Sequence, residues 1–308
     1  MFLGQADNTV KHLIEPSRLS FEGSGAVTTL GISFVAMVTG LVVLFLLIKR
    51  LGKPTGGINA ETAILGFPVA LGVLFLPVAL LILMFGVDAP NHPFYAGLVQ
   101  VLICLVGMCA LFWNPYDPRI KVTESGVPIV PSWLKFKPIW LLYIPAIWIL
   151  AYIAIQGAMF FSVALTHISG NEADLQPQIK EMLAHNDAEW IGGYYLLAAI
   201  GAPFREELSF RVVLFGGLTV FFNSLMPDKR QSDSQSASPL PMIVAGVLSV
   251  GLFVFAHGGW ATGFLPLTVL GLILTGLYAY SGSIWPPIMF HAMHNGLVVT
   301  LQFFYLPQ

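Results

Sequence analysis

Apolar residues in this chain come in long runs rather than in amphipathic stripes. The runs lie near 26–48, 62–86, 93–113, 138–165, 190–224, 240–256, 264–281 and 285–304, separated by polar stretches. A helix needs ~20 apolar residues to cross ~30 Å of hydrocarbon, so the pattern predicts an all-α, polytopic transmembrane helix bundle of about eight spans. Helices are required because hydrocarbon offers backbone N–H and C=O groups no partner. The Gly and Pro inside the runs are compatible with this, since membrane helices tolerate both. The fifth run is too long for a simple crossing, covering roughly 50 Å at ~1.5 Å per residue. It is read as one kinked or tilted span rather than as two passes split at Pro203.

Composition points the same way. The chain is 56% hydrophobic and 10% charged, whereas a soluble domain is about 25% charged. A net charge of -2 and the lack of a basic patch argue against a nucleic-acid partner. Cys104 and Cys109 share one apolar run and read as buried side chains rather than a disulfide framework. The first 25 residues lack the basic start and apolar run expected of a cleaved signal peptide. Basic residues bias the orientation. Lys49, Arg50, Lys53, Arg119, Lys121, Lys135, Lys137, Lys229 and Arg230 fall on one side, which places both termini outside by the positive-inside rule. Residues 226–239 read as a Ser/Gln-rich linker. Trp113, Trp133, Trp140, Trp190 and Tyr305, near run ends, are expected as interfacial anchors.

Against this apolar background a few polar residues stand out. An ionisable group inside a span costs on the order of 2.5–3.5 kcal/mol, yet Glu206 and Glu207 sit in the run GAPFREELSFRVVLF. Adjacent carboxylates repel, which makes one of them a candidate general base. Glu207 and Arg211 are one turn apart and can pair. Glu206 points about 100° away around the helix, so Arg211 neutralises Glu207 and leaves Glu206 for chemistry. The plainer alternative is an ion-pair cluster of Arg205, Glu206, Glu207 and Arg211 that fixes helix packing.

Two further runs carry Phe253 with His257, and His291 with Asn295, each pair one turn apart. A lone histidine in a span usually packs or hydrogen-bonds. Two of them beside a carboxylate pair favour a shared site. His294 is rotated away from His291. His12, His92, His167 and His185 lie in polar segments and carry little. Glu206, His257 and His291 are also candidate ligands for a divalent metal such as zinc, although the spacing is not the H-E-x-x-H of a zinc-protease helix. A metal-independent water is the favoured reading. Depth counts conflict: Glu206 lies ~24 Å and His257 ~25 Å from the starts of their spans, at different levels. The run 240–256 is therefore expected to tilt or to begin later. A shared site requires Glu206 within ~10 Å of His257 and His291, since catalytic groups act through hydrogen bonds or one water.

The motifs E-E-x-x-x-R (Glu206, Glu207, Arg211), F-x-x-x-H (Phe253, His257) and H-x-x-x-N (His291, Asn295) occur in that order on successive apolar helices. Together they resemble the CPBP intramembrane proteases, a family that includes type II CAAX prenyl endopeptidases and bacteriocin-processing or self-immunity proteins. The resemblance covers about 138–300. It divides the chain into an N-terminal membrane extension with three spans, 1–137, and a CPBP-like core, 138–308. It implies peptide-bond hydrolysis within the membrane, with Glu206 activating water and His257 holding it. His291 and Asn295 would stabilise the oxyanion, with Glu207, Arg211 and Phe253 in support. The implied partners are the bilayer and a membrane-associated or prenylated protein or peptide substrate. The expected location is a prokaryotic inner membrane. Two other classes stay open: a non-proteolytic self-immunity or partner-binding protein, and a proton-coupled transporter using Glu206, Glu207 and the histidines. The lack of an internal repeat ranks the transporter last.

Overall fold

The computed structural model describes residues 24–49, positions within 69–83, and residues 92–112, 132–169, 188–225, 239–258 and 262–304. Its helices are α1 (Ser24–Lys49), α2 (Pro93–Phe112), α3 (Trp140–Ile168), α4 (Ala188–Leu225), α5 (Leu240–Ala256), α6 (Phe264–Ser281) and α7 (Trp285–Phe304), with a short 3-10 turn at Ser132–Leu134. No strand occurs among the described residues. The starts of α2, α5, α6 and α7 fall where the apolar runs begin. Local chemistry sets several of these limits. Pro239 precedes α5. Gly282 closes α6 with φ 63°, its N–H bonded to Tyr278 O, a left-handed cap that glycine adopts without a Cβ penalty.

Among the described residues, three helices, α3, α4 and α6, are long and apolar enough to cross a membrane. Helices α3 and α5 present bare hydrocarbon outward: Leu142 is 67% exposed, Val247 62% and Phe255 64%. Lipid solvates such faces; water does not. The protein is an integral membrane protein. The second apolar run, 62–86, is described only at scattered positions. Arg50, Lys53, Arg119, Lys121, Lys229 and Arg230, on which the orientation rests, lie outside the described residues, as do His12, His185, Trp113, Tyr305 and residues 226–238.

The centre of the bundle is α4. It runs unbroken for 38 residues, as one helix rather than two passes, and packs against α2, α5 and α7. From Glu207 to Phe215 every residue except Leu214 is buried, the mark of a helix enclosed on all sides. Two stretches of α4 are π-helical, Tyr195–Gly201 and Glu207–Phe215, on either side of an α-helical turn at Ala202–Glu206. A π turn bonds i to i+5 and takes in more residues than an α turn. The 3.6-residue period used to read faces from the sequence therefore fails on both sides of the carboxylate pair. Around α4, α3 packs against α1, α6 and α7.

The crossing of α2 on α4 depends on absent side chains. A Cβ on Gly97 would lie 2.7 Å from Leu197 N and 2.9 Å from Leu196 C, and one on Gly193 would lie 2.6 Å from Phe94 N. Small residues let membrane helices approach to backbone contact. Because the opposing atoms are backbone, they cannot rotate away. Gly97→Ala is expected to force the two helices apart and cost about 1–3 kcal/mol, read as a lower thermal unfolding midpoint of the purified protein in detergent. An unchanged midpoint would show that the helices part freely.

Two expected anchors are placed differently. Trp133 and Trp140 are 4% and 2% exposed and pack inside the protein rather than at a lipid headgroup interface. The reason is a joint between the segment before α3 and the start of α7. Ile284 N donates to Trp133 O at 2.8 Å, Trp285 Nε1 to Leu134 O at 2.8 Å, and Ser283 Oγ to Lys135 O at 2.8 Å. This joint fixes the end of the helix that carries His291 and Asn295.

Candidate active site

Three helices bring their polar residues to one point. Glu206 and Glu207 come from the middle of α4, His257 from the residue that caps α5, and His291 from the second turn of α7. Glu206 Oε2 lies 3.4 Å from His257 Nε2 and 3.8 Å from His291 Nε2, well inside the limit that a shared site requires. The depth conflict is thus resolved, though not by a later start, because α5 begins at Leu240 as the apolar run indicates. The contact is made where α5 ends.

Each group is held by a neighbour. Glu206 Oε1 accepts from Arg205 Nη2 at 2.9 Å. Its second oxygen, Oε2, is buried, has no contact that meets hydrogen-bond geometry, and lies 3.4 Å from His257 Nε2. His257 Nδ1 lies 2.7 Å from Phe253 O. A carbonyl only accepts, so Nδ1 carries the proton and Nε2 is the atom turned toward Glu206. Glu207 has a different setting. Its Oε1 accepts from His291 Nδ1 at 2.8 Å, and its Oε2 lies 3.2 Å from Arg211 Nε. Glu207 and Arg211 are both 0% exposed. Arg211 pairs with Glu207, as one turn of helix allows, and Glu207 contacts the His291 ring, whereas Glu206, expected to be left free, is held by Arg205.

Phe253 serves three contacts. Its carbonyl fixes the His257 tautomer, its ring lies 4.4 Å from the His257 ring, and its face lies 4.4 Å from the Arg211 guanidinium carbon. A desolvated guanidinium over an aromatic face gains up to ~2 kcal/mol. Exposure is uneven across the cluster. His291 and Glu206 side chains are 2% and 6% exposed, whereas His257 and Arg205 are 25% and 26%.

Asn295 stands apart from the expected arrangement. Its Nδ2 donates to Ala198 O in the first π stretch at 2.8 Å, so one of its two amide hydrogens is committed to backbone. His294 Nδ1 is buried without a hydrogen bond. His92 is 3.5 Å from Glu189, and His167 lies in the last turn of α3 rather than in a loop. As for a metal, no group of three His, Cys, Asp or Glu side chains among the described residues is arranged to hold one.

From the sequence, Arg205 is expected only as part of a packing cluster, and Ser249 is not singled out. Arg205 binds the same carboxylate that was expected to be free; its adjacency to Glu206 inside an apolar run was the available signal. Ser249, 1% exposed, donates to Phe210 O in the second π stretch at 2.8 Å, and nothing in a serine on an apolar helix announces this.

Fold and site define an all-helical membrane protein with a carboxylate pair and two imidazoles gathered at one buried point. Residues 188–297 match the family model described as type II CAAX prenyl endopeptidase Rce1-like, in agreement with the resemblance carried by the motifs. The matched segment takes in Glu206, Glu207, Arg211, Phe253, His257, His291 and Asn295. Searches of curated proteins and of solved structures gave no match.

Proposed function

We propose that the protein is an intramembrane endopeptidase of the CAAX type, hydrolysing a peptide bond of a membrane-associated or lipidated protein or peptide. The observation that carries the reading is the unfilled Glu206 Oε2, buried and facing the Nε2 atoms of His257 and His291 at 3.4 and 3.8 Å. A buried carboxylate oxygen with spare acceptor capacity attracts a water hydrogen. His257 Nε2, its Nδ1 committed to Phe253 O, accepts from the same water and aims it.

The reaction then balances as follows. Glu206 Oε2 takes a proton from water, and the water oxygen bonds to the peptide carbonyl carbon. The carbonyl oxygen becomes an oxyanion. His291, with Nδ1 on Glu207 Oε1, presents Nε2 to that oxygen and donates to it when that nitrogen carries a hydrogen. An oxyanion donor of this kind typically contributes ~2.7–4 kcal/mol to transition-state stabilisation. The intermediate collapses by breaking the C–N bond, and Glu206 returns the proton to the leaving amine. Arg205 holds Glu206 through Oε1, so Oε2 stays directed at the water. The match of residues 188–297 to the CAAX endopeptidase family supports the reaction class. The substrate edge is expected at His257 and Arg205, whose side chains are partly exposed.

The test is cleavage of membrane-anchored and prenylated test peptides by the purified protein, with and without chelator. Cleavage that survives chelation is expected. Cleavage abolished by chelation and restored by zinc would replace the glutamate-activated water with a metal centre, and no cleavage of any peptide would count against the endopeptidase reading.

A further inference from the structure

The first π stretch of α4 contains a gap in its hydrogen-bond ladder, and Asn295 fills it. In this stretch Ala202 N donates to Leu197 O, five residues back. The next rung of the same ladder would run from residue 203 to Ala198 O. Residue 203 is proline, which has no N–H. Ala198 O instead accepts from Asn295 Nδ2 at 2.8 Å. A second cross-link lies close by. Thr300 Oγ1 donates to Gly296 O at 2.7 Å, so the 2.7 Å contact between Tyr195 OH and Thr300 Oγ1 is a bond donated by the tyrosine. Helix α7 therefore grips the π stretch at both Tyr195 and Ala198, through Thr300 and Asn295. The other π stretch is gripped in the same manner by Ser249 from α5, on Phe210 O.

From this we infer that Asn295 is a positioning residue: its carboxamide replaces the N–H that Pro203 lacks and so holds the register of α4 that aims Glu206. The inference rests on the endopeptidase reading for its kinetic consequences but not for its structural content. One residue of register in a helix is worth about 100° of rotation. On a Cα radius of ~2.3 Å, that rotation moves the backbone on the order of 3.5 Å, as far as Glu206 now lies from His257. A relaxed π stretch would thus carry the carboxylate out of reach of both histidines. Asn295 sits on the same helix as His291, so a single rigid element fixes one imidazole and the azimuth of the base together.

The experiment compares wild type, Asn295→Ala, Pro203→Ala and the double variant by two readouts. One is backbone hydrogen exchange over residues 195–203 of the full-length protein in detergent. The other is peptide cleavage resolved into kcat and KM. Asn295→Ala is expected to speed exchange over this segment and to lower kcat about 100-fold, the scale of an ångström's misplacement of a catalytic group, with KM within about twofold. Pro203→Ala supplies the missing N–H and is expected to leave both readouts near wild type. The double variant is expected to recover slow exchange and most of kcat. A donor to the oxyanion would show the opposite: kcat lost in Asn295→Ala, exchange unchanged, and no recovery in the double variant. That result would overturn the proposal, as would altered exchange with unchanged kcat, or loss of turnover in Pro203→Ala alone. If wild type cleaves no test peptide, the endopeptidase reading fails, and exchange alone decides whether Asn295 completes the helix.

Discussion

Glu206→Gln is expected to lower cleavage by ~10²–10⁴-fold, the range contributed by a positioned general base, while leaving the protein folded. The amide keeps the shape of the side chain and can still accept from Arg205 through its oxygen. It cannot take a proton from water. The change acts on kcat, because the proton moves only in the transition state. The readouts are kcat and KM for a cleaved test peptide, with the thermal unfolding midpoint as a control for folding. Glu207→Gln is the informative comparison. Glu207 touches His291 Nδ1 and Arg211 rather than the unfilled point in front of Oε2, so its amide variant is expected to lose less activity and more stability. Equal loss of kcat in the two variants, with equal midpoints, would contradict the separation of roles between the two carboxylates.

The second large effect is on stability. Arg211 is among the largest fully buried side chains and pairs with Glu207, which is equally buried. Removing one member of a buried ion pair strands the other and costs about 3–5 kcal/mol. Arg211→Met leaves Glu207 with His291 as its remaining partner, and also takes the cation from the Phe253 ring, 4.4 Å away. The variant is expected to unfold at a clearly lower temperature than wild type in the same detergent. The double variant Glu207→Gln with Arg211→Met removes both charges together and is expected to recover much of the loss, since pairs replaced as a unit leave no stranded ion. Recovery of stability without recovery of turnover would show that the pair serves the orientation of His291 as well as packing. A wild-type midpoint for Arg211→Met would mean that Phe253 and the surrounding hydrocarbon tolerate an unpaired Glu207.

Much of this protein is legible in the order of its residues, because lipid imposes a simple rule. A segment that crosses hydrocarbon must be apolar and must satisfy its own backbone. The runs 240–256, 264–281 and 285–304 accordingly became α5, α6 and α7 with the same limits. The rule also isolates the candidate chemistry. Two glutamates, a buried arginine and two histidines within such runs or at their ends are conspicuous because polar groups are costly there, and the structure gathers all five. The pairing of Glu207 with Arg211 followed from one turn of helix and survives even on the π-helical stretch.

The rest depended on how helices meet. The depth count erred because it assumed one rise per residue along straight, parallel helices. Glu206 instead meets His257 where α5 ends, from a helix interrupted by two π stretches. The grip of Ser249 on Phe210 O and of Asn295 on Ala198 O joins residues 39 and 97 positions apart, and no local period encodes such a distance. Trp133 and Trp140, typical of a membrane interface by position, were drawn inside by the joint with α7. Sequence alone determined which segments are helices and which residues are too polar to sit in them without a reason, since both follow from the solvent around each segment. Tertiary structure decided which carbonyls receive donors, which turn of α4 widens, and so which carboxylate faces the two histidines, because those depend on contacts between helices rather than within one.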